Sequence, residues 1–478
     1  MTDQDVAASQ PPVRASSRRA TLELVFVGLG ALVVALSQSL LIPVLSILPA
    51  QLDTSAGNVN WLLTSTLLAA AVSVPIMGRL GDMFGKRRLL LVAVGALVVG
   101  SLLTAVTDNI GLLIAGRAIQ GCAAAAIPLG ISLLAAVLPR EKVGSAIALV
   151  SAMLGIGGAL GLPIAGLVAE NADFHVLFWI TFGAGLIAFV GILAIVPEAP
   201  GRSGGRVDLV GSVLLAAGLI CLLLPLSQSS AWGWGDSRIW ILLAIAAVLI
   251  AVFGFSQMRI KDPLVDLRAL SRRPIVLTNL ASILFGFALF ASFIGTASYV
   301  EAPESTGYGF GSSLLVGGLV MLPGGIAMLL LSPVAARLIE RRGAPQTLAL
   351  GAVIVAAGFL MRIVVHDSLW QVIVGSAIVG AGTGVGYAAM PALINAHTPG
   401  NEIAAANGLN SLFRSLGSSL ASAIGGSILA ANTVILGDIA APSLSAYQQL
   451  FAICGGAAVV AAVLVLLIPH RPTSPGSH

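Results

Sequence analysis

The chain has 478 residues, of which 57% are hydrophobic and only 9% are charged. Soluble globular proteins carry roughly a quarter of their residues as charged side chains, so this composition excludes water-soluble enzymes and nucleic-acid-binding proteins and predicts an integral membrane protein. The formal net charge of +4 says nothing about nucleic acid, because the informative property of a membrane chain is which loops hold the basic residues.

Long apolar runs follow one another along the chain, each able to cross about 30 Å of hydrocarbon as a helix of about 20 residues. We predict fourteen spans, at about 22 to 48, 58 to 78, 88 to 107, 111 to 137, 144 to 168, 175 to 196, 209 to 229, 238 to 257, 275 to 299, 312 to 334, 346 to 365, 370 to 395, 405 to 430 and 447 to 469. The predicted fold class is an all-α membrane protein with 14 transmembrane helices.

The loops between these spans alternate in charge. Of the 24 Lys and Arg residues, all lie on the side of the two termini except Arg117 and Arg414, within spans, and Arg238 and Arg362, in the opposite loops. Because loops rich in Lys and Arg remain in the cytoplasm, we expect both termini to be cytoplasmic.

Two sequence segments recur after about 260 residues. The segment GRLGDMFGKRR at 78 to 88 resembles ARLIERRG at 336 to 343, and REKVGSAIAL at 140 to 149 resembles NEIAAANGL at 401 to 409. Transporter folds are commonly built from such repeats. We therefore predict two six-helix bundles, 21–197 and 261–470, separated by an inserted two-helix linker at 198–260. A disordered cytoplasmic N-terminus at 1–20 and a cytoplasmic tail at 471–478 complete the predicted domains.

Glycines and charged residues are concentrated between spans two and three. They are Gly78, Arg79, Gly81, Asp82, Gly85, Lys86, Arg87 and Arg88. The glycines allow backbones to pass closely. The functional interpretation is a conformational latch, in which Asp82 lies near a helix end and pairs with basic residues in one conformation only. The alternative is a charged cytoplasmic hairpin.

Arg117 lies within span four, where an Arg costs at least about 2.5–3.5 kcal/mol. We expect it to face a cavity or a partner, with Gln120 one turn later on the same helix face. The alternative is a structural Arg117 bonded to helix-end carbonyls.

Gln38, Asn410 and Arg414 are further candidates for polar groups of a cavity. Arg414 lies in span thirteen beside Asn407 and Asn410, and its alternative is to snorkel towards a nearby helix end.

Span five contains GIGGALGLPIAG, with Gly157, Gly158, Gly161, Pro163 and Gly166. Glycines four residues apart allow close helix contact, and a proline bends a helix. We interpret this segment as a hinge, and plain close packing is the alternative.

These motifs together resemble the major facilitator superfamily, in its fourteen-span branch of drug:proton antiporters. GRLGDMFGKRR resembles the loop motif after the second helix, LIAGRAIQG (113 to 121) the fourth-helix motif, and GIGGALGLPIAG the fifth-helix antiporter motif. The resemblance covers nearly all of residues 20 to 470, including RVDLVG (206 to 211) and DPLVDLRAL (262 to 270) around the extra helices. It implies that Asp82 and its neighbours form the latch, that Arg117 is coupled to proton transfer, and that Gly161 and Pro163 form the antiporter hinge.

The sequence departs from that pattern at two places. The first helix has Ser37, Gln38 and Ser39 where the branch often has an acidic residue, and Leu162 separates Gly161 from the proline. Glu301, at the outer end of span nine, is our candidate for the protonating group, because a raised carboxyl pKa requires partial burial. Its alternative is an exposed loop acid.

The resemblance implies proton-coupled export of hydrophobic or amphipathic drug-like compounds by alternating access, and hence antibiotic resistance, across a bacterial inner (plasma) membrane. A central region almost without charge suits such cargo. The predicted partners are a small hydrophobic or amphipathic substrate, protons and the lipid bilayer, with no nucleic acid, cofactor or metal, and the protein is expected to be a monomer. Alternatives are a proton-coupled nutrient symporter and a non-transporting membrane sensor or enzyme. The enzyme is disfavoured because the five histidines lie at span ends or in tails, without an HExxH or GxSxG motif.

Overall fold

The computed structural model describes residues 17–200, 207–260, 263–265, 267, 271–399, 402–436 and 439–468. Most of the predicted disordered N-terminus, the predicted tail, and parts of the two segments flanking the extra helices lie outside the described residues. Helix α1 begins at Ser17, so the prediction of disorder is wrong for residues 17–20.

Long helices account for most of the described chain. They are α1 Ser17–Ser39, α2 Ala56–Phe84, α3 Lys86–Ala105, α4 Ile110–Val137, α5 Arg140–Asn171, α6 His175–Ile195, α7 Leu209–Ser227, α8 Ser237–Arg259, α9 Arg273–Glu301, α10 Leu314–Arg342, α11 Ala344–Val364, α12 Leu369–His397, α13 Ile403–Ala431 and α14 Leu444–Leu466. Helix α4 consists of Ile110–Gly121 and Ala126–Val137, joined by a 3-10 turn at Cys122–Ala125. Shorter helical turns lie at Pro43–Ser46, Leu48–Gln51, Ser229–Trp232 and Glu304–Thr306.

Thirteen helices in the described chain are long and apolar enough to cross a membrane. The other long helix is α13, which has ample length but carries Asn407, Asn410 and Arg414. It packs between α2 and α9, so these polar groups are shielded from lipid by protein. The predicted fold class, a fourteen-span all-α membrane protein, is confirmed.

The segment joining α2 and α3 differs from its prediction as a loop. Helix α2 continues to Phe84 and α3 begins at Lys86, so only Gly85 is non-helical, with φ 119°. The φ value requires glycine, because other residues adopt this backbone region at a steric cost. Gly78, Arg79, Gly81 and Asp82 therefore lie on the last turns of α2, where the helix fixes their directions.

A small antiparallel hairpin between α13 and α14 was not predicted. Its strands are β1 Thr433–Leu436 and β2 Ile439–Pro442, and Thr433 is opposite Pro442.

Buried apolar side chains form two large clusters. One is built from α1 to α6 with Ala404 of α13, and the other from α9 to α14 with Leu162 of α5. The two groups of helices meet through α5 against α10 and α2 against α13. Helices α7 and α8 pack on each other, and α7 also contacts α2 and α13. This arrangement leaves a space between α1, α2, α4 and α5 on one side and α9, α12 and α13 on the other.

Candidate functional site

Asp82 connects the C-terminal end of α2 to the first turn of α13. Its side chain is buried, and Oδ2 accepts a hydrogen bond from the Ala405 amide at 3.0 Å while Oδ1 accepts one from the Ala404 amide at 3.4 Å. Lys86 Nζ lies 3.4 Å from Asp82 Oδ1. The first amides of a helix have no partners within the helix and form the positive end of its dipole, so a carboxylate there is stabilised.

The latch glycines lie against neighbouring atoms. A Cβ added at Gly78 would lie 2.9 Å from the Ala404 carbonyl oxygen, and one at Gly81 would lie 2.4 Å from Leu129 Cδ2. At Gly85 it would lie 2.6 Å from Glu198 Oε2. Gly78 thus allows α2 to touch the start of α13 through its backbone.

The basic residues of the predicted latch are not equivalent. Lys86 pairs with Asp82, whereas the Arg87 amide donates to Glu198 Oε1 at 2.9 Å and its guanidinium donates to the Leu193 carbonyl. Arg79 and Arg88 make no ion pair with described residues. Of the predicted basic partners of Asp82, the described structure brings only Lys86 to it.

Arg117 is 1% exposed and is held largely by carbonyl groups. Its Nη1 donates to the Ser37 carbonyl at 3.0 Å and to Gln120 Oε1 at 2.7 Å, and its Nε donates to the Leu62 carbonyl at 3.4 Å. Gln120 Nε2 donates in turn to Ser101 Oγ at 2.9 Å. Ser37 lies in the last turn of α1 and Leu62 near the start of α2, so these hydrogen bonds tie α1 and α2 to α4.

A central cavity of about 120 Å³ lies between the two groups of helices. Its lining residues include Gln38 of α1, Gly158 of α5, Phe293 of α9, Tyr387 of α12 and Arg414 of α13. A second cavity, of about 170 Å³, shares Gln38, Ile42 and Phe290 with the first and reaches Arg117. The structure therefore brings Gln38, Gly158 and Arg414 to one cavity and places Arg117 at the adjoining one.

Arg414 lies well inside α13, and the prediction that it is near a helix end is wrong. It lies eleven positions after Ile403, the first residue of α13, which is about 16 Å along the helix at 1.5 Å per residue. Its Nη2 donates to Ser411 Oγ at 3.2 Å, and its guanidinium carbon lies 4.9 Å from the centre of the Tyr387 ring. No feature of the sequence indicated that Tyr387 belongs to the site, because only the fold places it beside Arg414.

Asn410, also predicted to be a cavity residue, lies instead between helices. Its Nδ2 donates to Asn279 Oδ1 at 2.9 Å and to Ser282 Oγ at 2.7 Å, both on α9. It is 2% exposed and does not line either cavity. Its contacts join α13 to α9.

The predicted hinge residues of α5 face three different neighbours. Added Cβ atoms at Gly157 and Gly161 would lie 2.4 Å from the Leu32 carbonyl oxygen and 1.9 Å from Ser39 Oγ, both of the α1 chain segment. Gly158 lies beside Phe293 on the wall of the central cavity, where an added Cβ would be 3.5 Å from the Phe293 ring, and Pro163 and Gly166 face α10.

The contact of α5 with α10 is close enough to depend on backbone atoms. A Cβ at Gly166 would lie 2.7 Å from Leu315 Cα, and one at Gly318 would lie 2.4 Å from the Pro163 nitrogen. Glu170 Oε1 accepts from the Leu315 amide at 3.3 Å. This contact between the end of α5 and the start of α10 combines small residues with a carboxylate at a helix start.

Glu301 is the last residue of α9 and is partly exposed. It packs against Gly317 of α10, where an added Cβ would lie 2.6 Å from its Oε1. Its carboxylate lines neither cavity. The structure thus separates Glu301 from Arg117 and Arg414.

Arg362, predicted to be a residue of the outer loops, is 3% exposed near the end of α11. It donates to Ser292 Oγ at 2.9 Å and to Thr296 Oγ1, both on α9, and lies 3.9 Å from the centre of the Phe451 ring. Its position inside the predicted span 346 to 365 was the signal that it is buried.

Comparison with known proteins identifies relatives along the whole chain. The Major Facilitator Superfamily model matches residues 27–328 and 285–478. The tetracenomycin C resistance and export protein of Streptomyces glaucescens is 28% identical, over 100% of this chain and 88% of the relative. The multidrug resistance protein Stp of Mycobacterium tuberculosis is 26% identical over 87% of this chain and 77% of its own, and the lincomycin resistance protein LmrB of Listeria monocytogenes is 26% identical over 72% of each. The crystal structure of the human organic anion transporter MFSD10 has a TM-score of 0.65 at 14% identity, covering 95% of this chain and 100% of that one.

Proposed function

This chain belongs to the major facilitator superfamily, and we propose that it exports hydrophobic or amphipathic compounds in exchange for protons. It is a multi-pass membrane protein and a transporter of small molecules rather than an enzyme. Relatives named for resistance to, or export of, tetracenomycin C, lincomycin and multiple drugs support drug efflux as the direction and kind of transport.

The observation that carries this proposal is the central cavity between two groups of helices. Its lining combines apolar residues such as Leu289, Phe290 and Phe293 with a few polar groups, which is typical of sites for amphipathic small molecules. The cavity lies between the α2–α13 contact at Gly78, on the proposed inner side, and the α5–α10 contact at Gly166, on the proposed outer side; α5 and α10 also touch further along, where Gly155 meets Met328. Alternating access requires these two contacts to open in turn.

We propose that the moving units are the predicted bundles 21–197 and 261–470, with 198–260 as an insertion. Separate buried clusters in α1 to α6 and α9 to α14 support this division. Corresponding close contacts support the repeat: Gly121 of α4 lies against the Thr66 carbonyl of α2, and Gly380 of α12 lies against the Gly324 carbonyl of α10. Thr66 and Gly324 are 258 residues apart, as are residues 78 and 336, at which the two similar segments begin.

We propose that Asp82 holds the inner side closed through the start of α13, with Lys86 as its cationic partner. Arg117 and Gln120 fix the positions of α1, α2 and α4 around the transport path. The glycines of α5 allow the outer contact with α10 to form and separate. Glu301 remains our candidate for the protonating group, since it is a partly buried carboxylate where α9 meets α10.

Transport would be tested in inverted membrane vesicles with an imposed acid interior, using a panel of amphipathic fluorescent compounds. We expect at least one compound to accumulate only when the pH gradient is present and to release protons from the lumen as it enters. Asp82→Asn should slow accumulation, whereas Asp53→Asn, the same change at an exposed acid, should not. Equal rates for both variants and the wild type would reject the role of Asp82.

A nutrient symporter differs in the direction of coupling. In the same vesicles it would move substrate and protons out of the lumen together, so an acid interior would deplete the vesicles of substrate. Accumulation against an outward proton flow therefore distinguishes the two functions. The cytoplasmic position of both termini and the monomeric state are part of our proposal, and labelling of terminal tags from each side and light scattering of the purified protein test them.

A further inference from the structure

Arg414 is the charged side chain of the central cavity. The described residues that line this cavity include no Asp or Glu, and those that line the adjoining cavity add Arg117 but again no carboxylate. A guanidinium cannot lose its charge at ordinary pH. The two adjoining cavities therefore carry positive charge with no negative residue on their described walls.

The partners of Arg414 leave most of its donors unused. A guanidinium has five N–H donors, and the hydrogen bond that Arg414 makes with the described residues is the one to Ser411 Oγ. The face of the Tyr387 ring attracts the cation but supplies no oxygen to accept the remaining donors. A polar group removed from water costs free energy until a partner satisfies it.

The other polar groups of the cavity differ in whether their hydrogen-bond donors have acceptors. Gln38 lines it and its amide makes no hydrogen bond with the described residues. Ser39 donates its hydroxyl to the Leu36 carbonyl, Ser415 to the Ser411 carbonyl, and Ser418 to carbonyls of its own helix and of α9. Free N–H donors are thus present at Arg414 and Gln38, beside the apolar wall that contains Phe290 and Phe293, and at Arg117 Nη2 on the adjoining cavity.

We propose that the cargo is an amphipathic organic anion, with its oxyanion group bound at Arg414 and Gln38 and its apolar body against the two phenylalanines. This inference rests on the proposed transport function and specifies the substrate class of the same cavity. A planar guanidinium binds an oxyanion through two parallel hydrogen bonds, which fixes the orientation of the ligand as well as its charge. A cationic compound of the same shape would meet a like charge without a compensating carboxylate.

Three probes share a naphthyl tail and differ in their head group, which is a sulfonate, a hydroxyl or a trimethylammonium. Comparing their transport distinguishes the effect of charge from that of hydrophobicity. Their uptake into inverted vesicles is measured by rapid filtration under an acid-interior pH gradient. Valinomycin and equal K⁺ concentrations hold the membrane potential at zero, so that the charge of a probe does not alter its driving force. We expect wild-type kcat/KM to be at least tenfold higher for the sulfonate than for the trimethylammonium probe.

Variants of Arg414 test whether its guanidinium causes the preference for the sulfonate probe. Arg414→Gln should lower kcat/KM for the sulfonate at least tenfold and change that for the alcohol less than threefold, and Arg414→Lys should restore part of the sulfonate transport. Arg414→Glu should reverse the preference towards the cation. Arg238→Gln, which removes an exposed cation remote from the cavity lining, is the matched control and should leave the preference unchanged.

Each outcome has a defined meaning. A wild-type preference for the trimethylammonium probe would overturn the anionic substrate class. An equal loss of transport of all three probes in folded Arg414→Gln would overturn it as well. Neither result would contradict the proposed transport function. Movement of none of the probes, and of no compound in the wider panel, would reject the transport function itself and the inference with it. The comparison of probes on the wild type remains decisive even if a variant fails to fold.

Discussion

Removal of the charge at Asp82 should open the inner side of the protein. The carboxylate accepts two hydrogen bonds from the first amides of α13, at 3.0 and 3.4 Å, in a buried position. Asn can accept one such bond but lacks the negative charge that interacts with the helix dipole and with Lys86. Hydrogen bonds to charged groups contribute about 1.5–3 kcal/mol, and we expect Asp82→Asn to destabilise the closed inner contact by about that amount.

A change of this size alters the ratio of inner-closed to inner-open protein about 10- to 150-fold, at about 1.4 kcal/mol per factor of ten. Val74, which lines the central cavity and faces Gly408 of α13, becomes accessible from the cytoplasm when α2 and α13 separate. In a chain whose Cys122, Cys221 and Cys454 are replaced by alanine, a cysteine at Val74 would be labelled in inverted vesicles with a membrane-impermeant maleimide. The labelling rate should rise by at least tenfold in Asp82→Asn.

Asp53→Asn is the matched control for this measurement, since it removes an exposed carboxylate by the same substitution. Asp82→Glu keeps the charge and should give a labelling rate between those of the wild type and Asp82→Asn. Equal labelling of the cysteine at position 74 in wild type and Asp82→Asn, with both proteins folded, would refute the argument that this carboxylate holds the two helices together.

Three further changes test the other assigned roles. Arg117→Lys keeps a positive charge but cannot reproduce the three hydrogen bonds that reach α1, α2 and Gln120, and we expect a loss of about 2–4 kcal/mol of stability, measured as a lower midpoint of thermal unfolding in detergent. Gly166→Leu places a side chain where an added Cβ would lie 2.7 Å from the α10 backbone, so it should favour separation of the contact between α5 and α10. An impermeant maleimide applied from the outside should then label the cysteine at position 74 faster. Gly183→Leu, with nothing within 4 Å of its added Cβ, should not change the labelling rate. Glu301→Gln should abolish the response of transport to an imposed pH gradient while equilibrium exchange of substrate continues; an unchanged pH response would exclude Glu301 as the proton carrier.

The fold could be predicted from the sequence because the features that determine it can be read along the chain without knowing which residues meet in space. Apolar run length and the distribution of basic residues report directly on which segments lie in hydrocarbon. Helix ends were less accessible, since α2 extends past its apolar run to Phe84 under tertiary contacts with α13. For the same reason Arg414 was placed too near a helix end and Arg362 in a loop.

The candidate site could be predicted from the sequence only in part, because a cavity depends on which helix faces meet. The cost of burying Arg117 indicated that it needs partners, but sequence could not choose between a cavity and the carbonyls of α1 and α2. Asn410 looked as well suited to the cavity as Arg414, yet its direction on the helix, about 40° from that of Arg414 at 3.6 residues per turn, places it against α9 instead. Tyr387 and Phe293 had no signal at all, since aromatic residues in a span are ordinary packing residues.

The buried Arg117 and Arg362 differ from the half-buried Arg414 in the partners that the described helices give them. In the N-terminal bundle Thr104 of α3 packs against Gly116 of α4, and in the C-terminal bundle Arg362 of α11 packs against Gly375 of α12 at the corresponding contact. Arg117 extends from α4 to carbonyls of α1 and α2, and Arg362 extends from α11 to hydroxyls of α9.

Arg117 and Arg362 thus each bond within one bundle, and each holds the cavity-lining helix α1 or α9 to the helices behind it. With the proposed division into two bundles, we expect each bundle to move as a rigid body, because the hydrogen bonds of both guanidiniums lie within a bundle and would persist when the bundles separate. Arg414 differs, since it makes one hydrogen bond within its own helix and faces the space between the bundles. A cation that is costly in hydrocarbon and is not needed to hold its own bundle together is the group best placed to bind cargo.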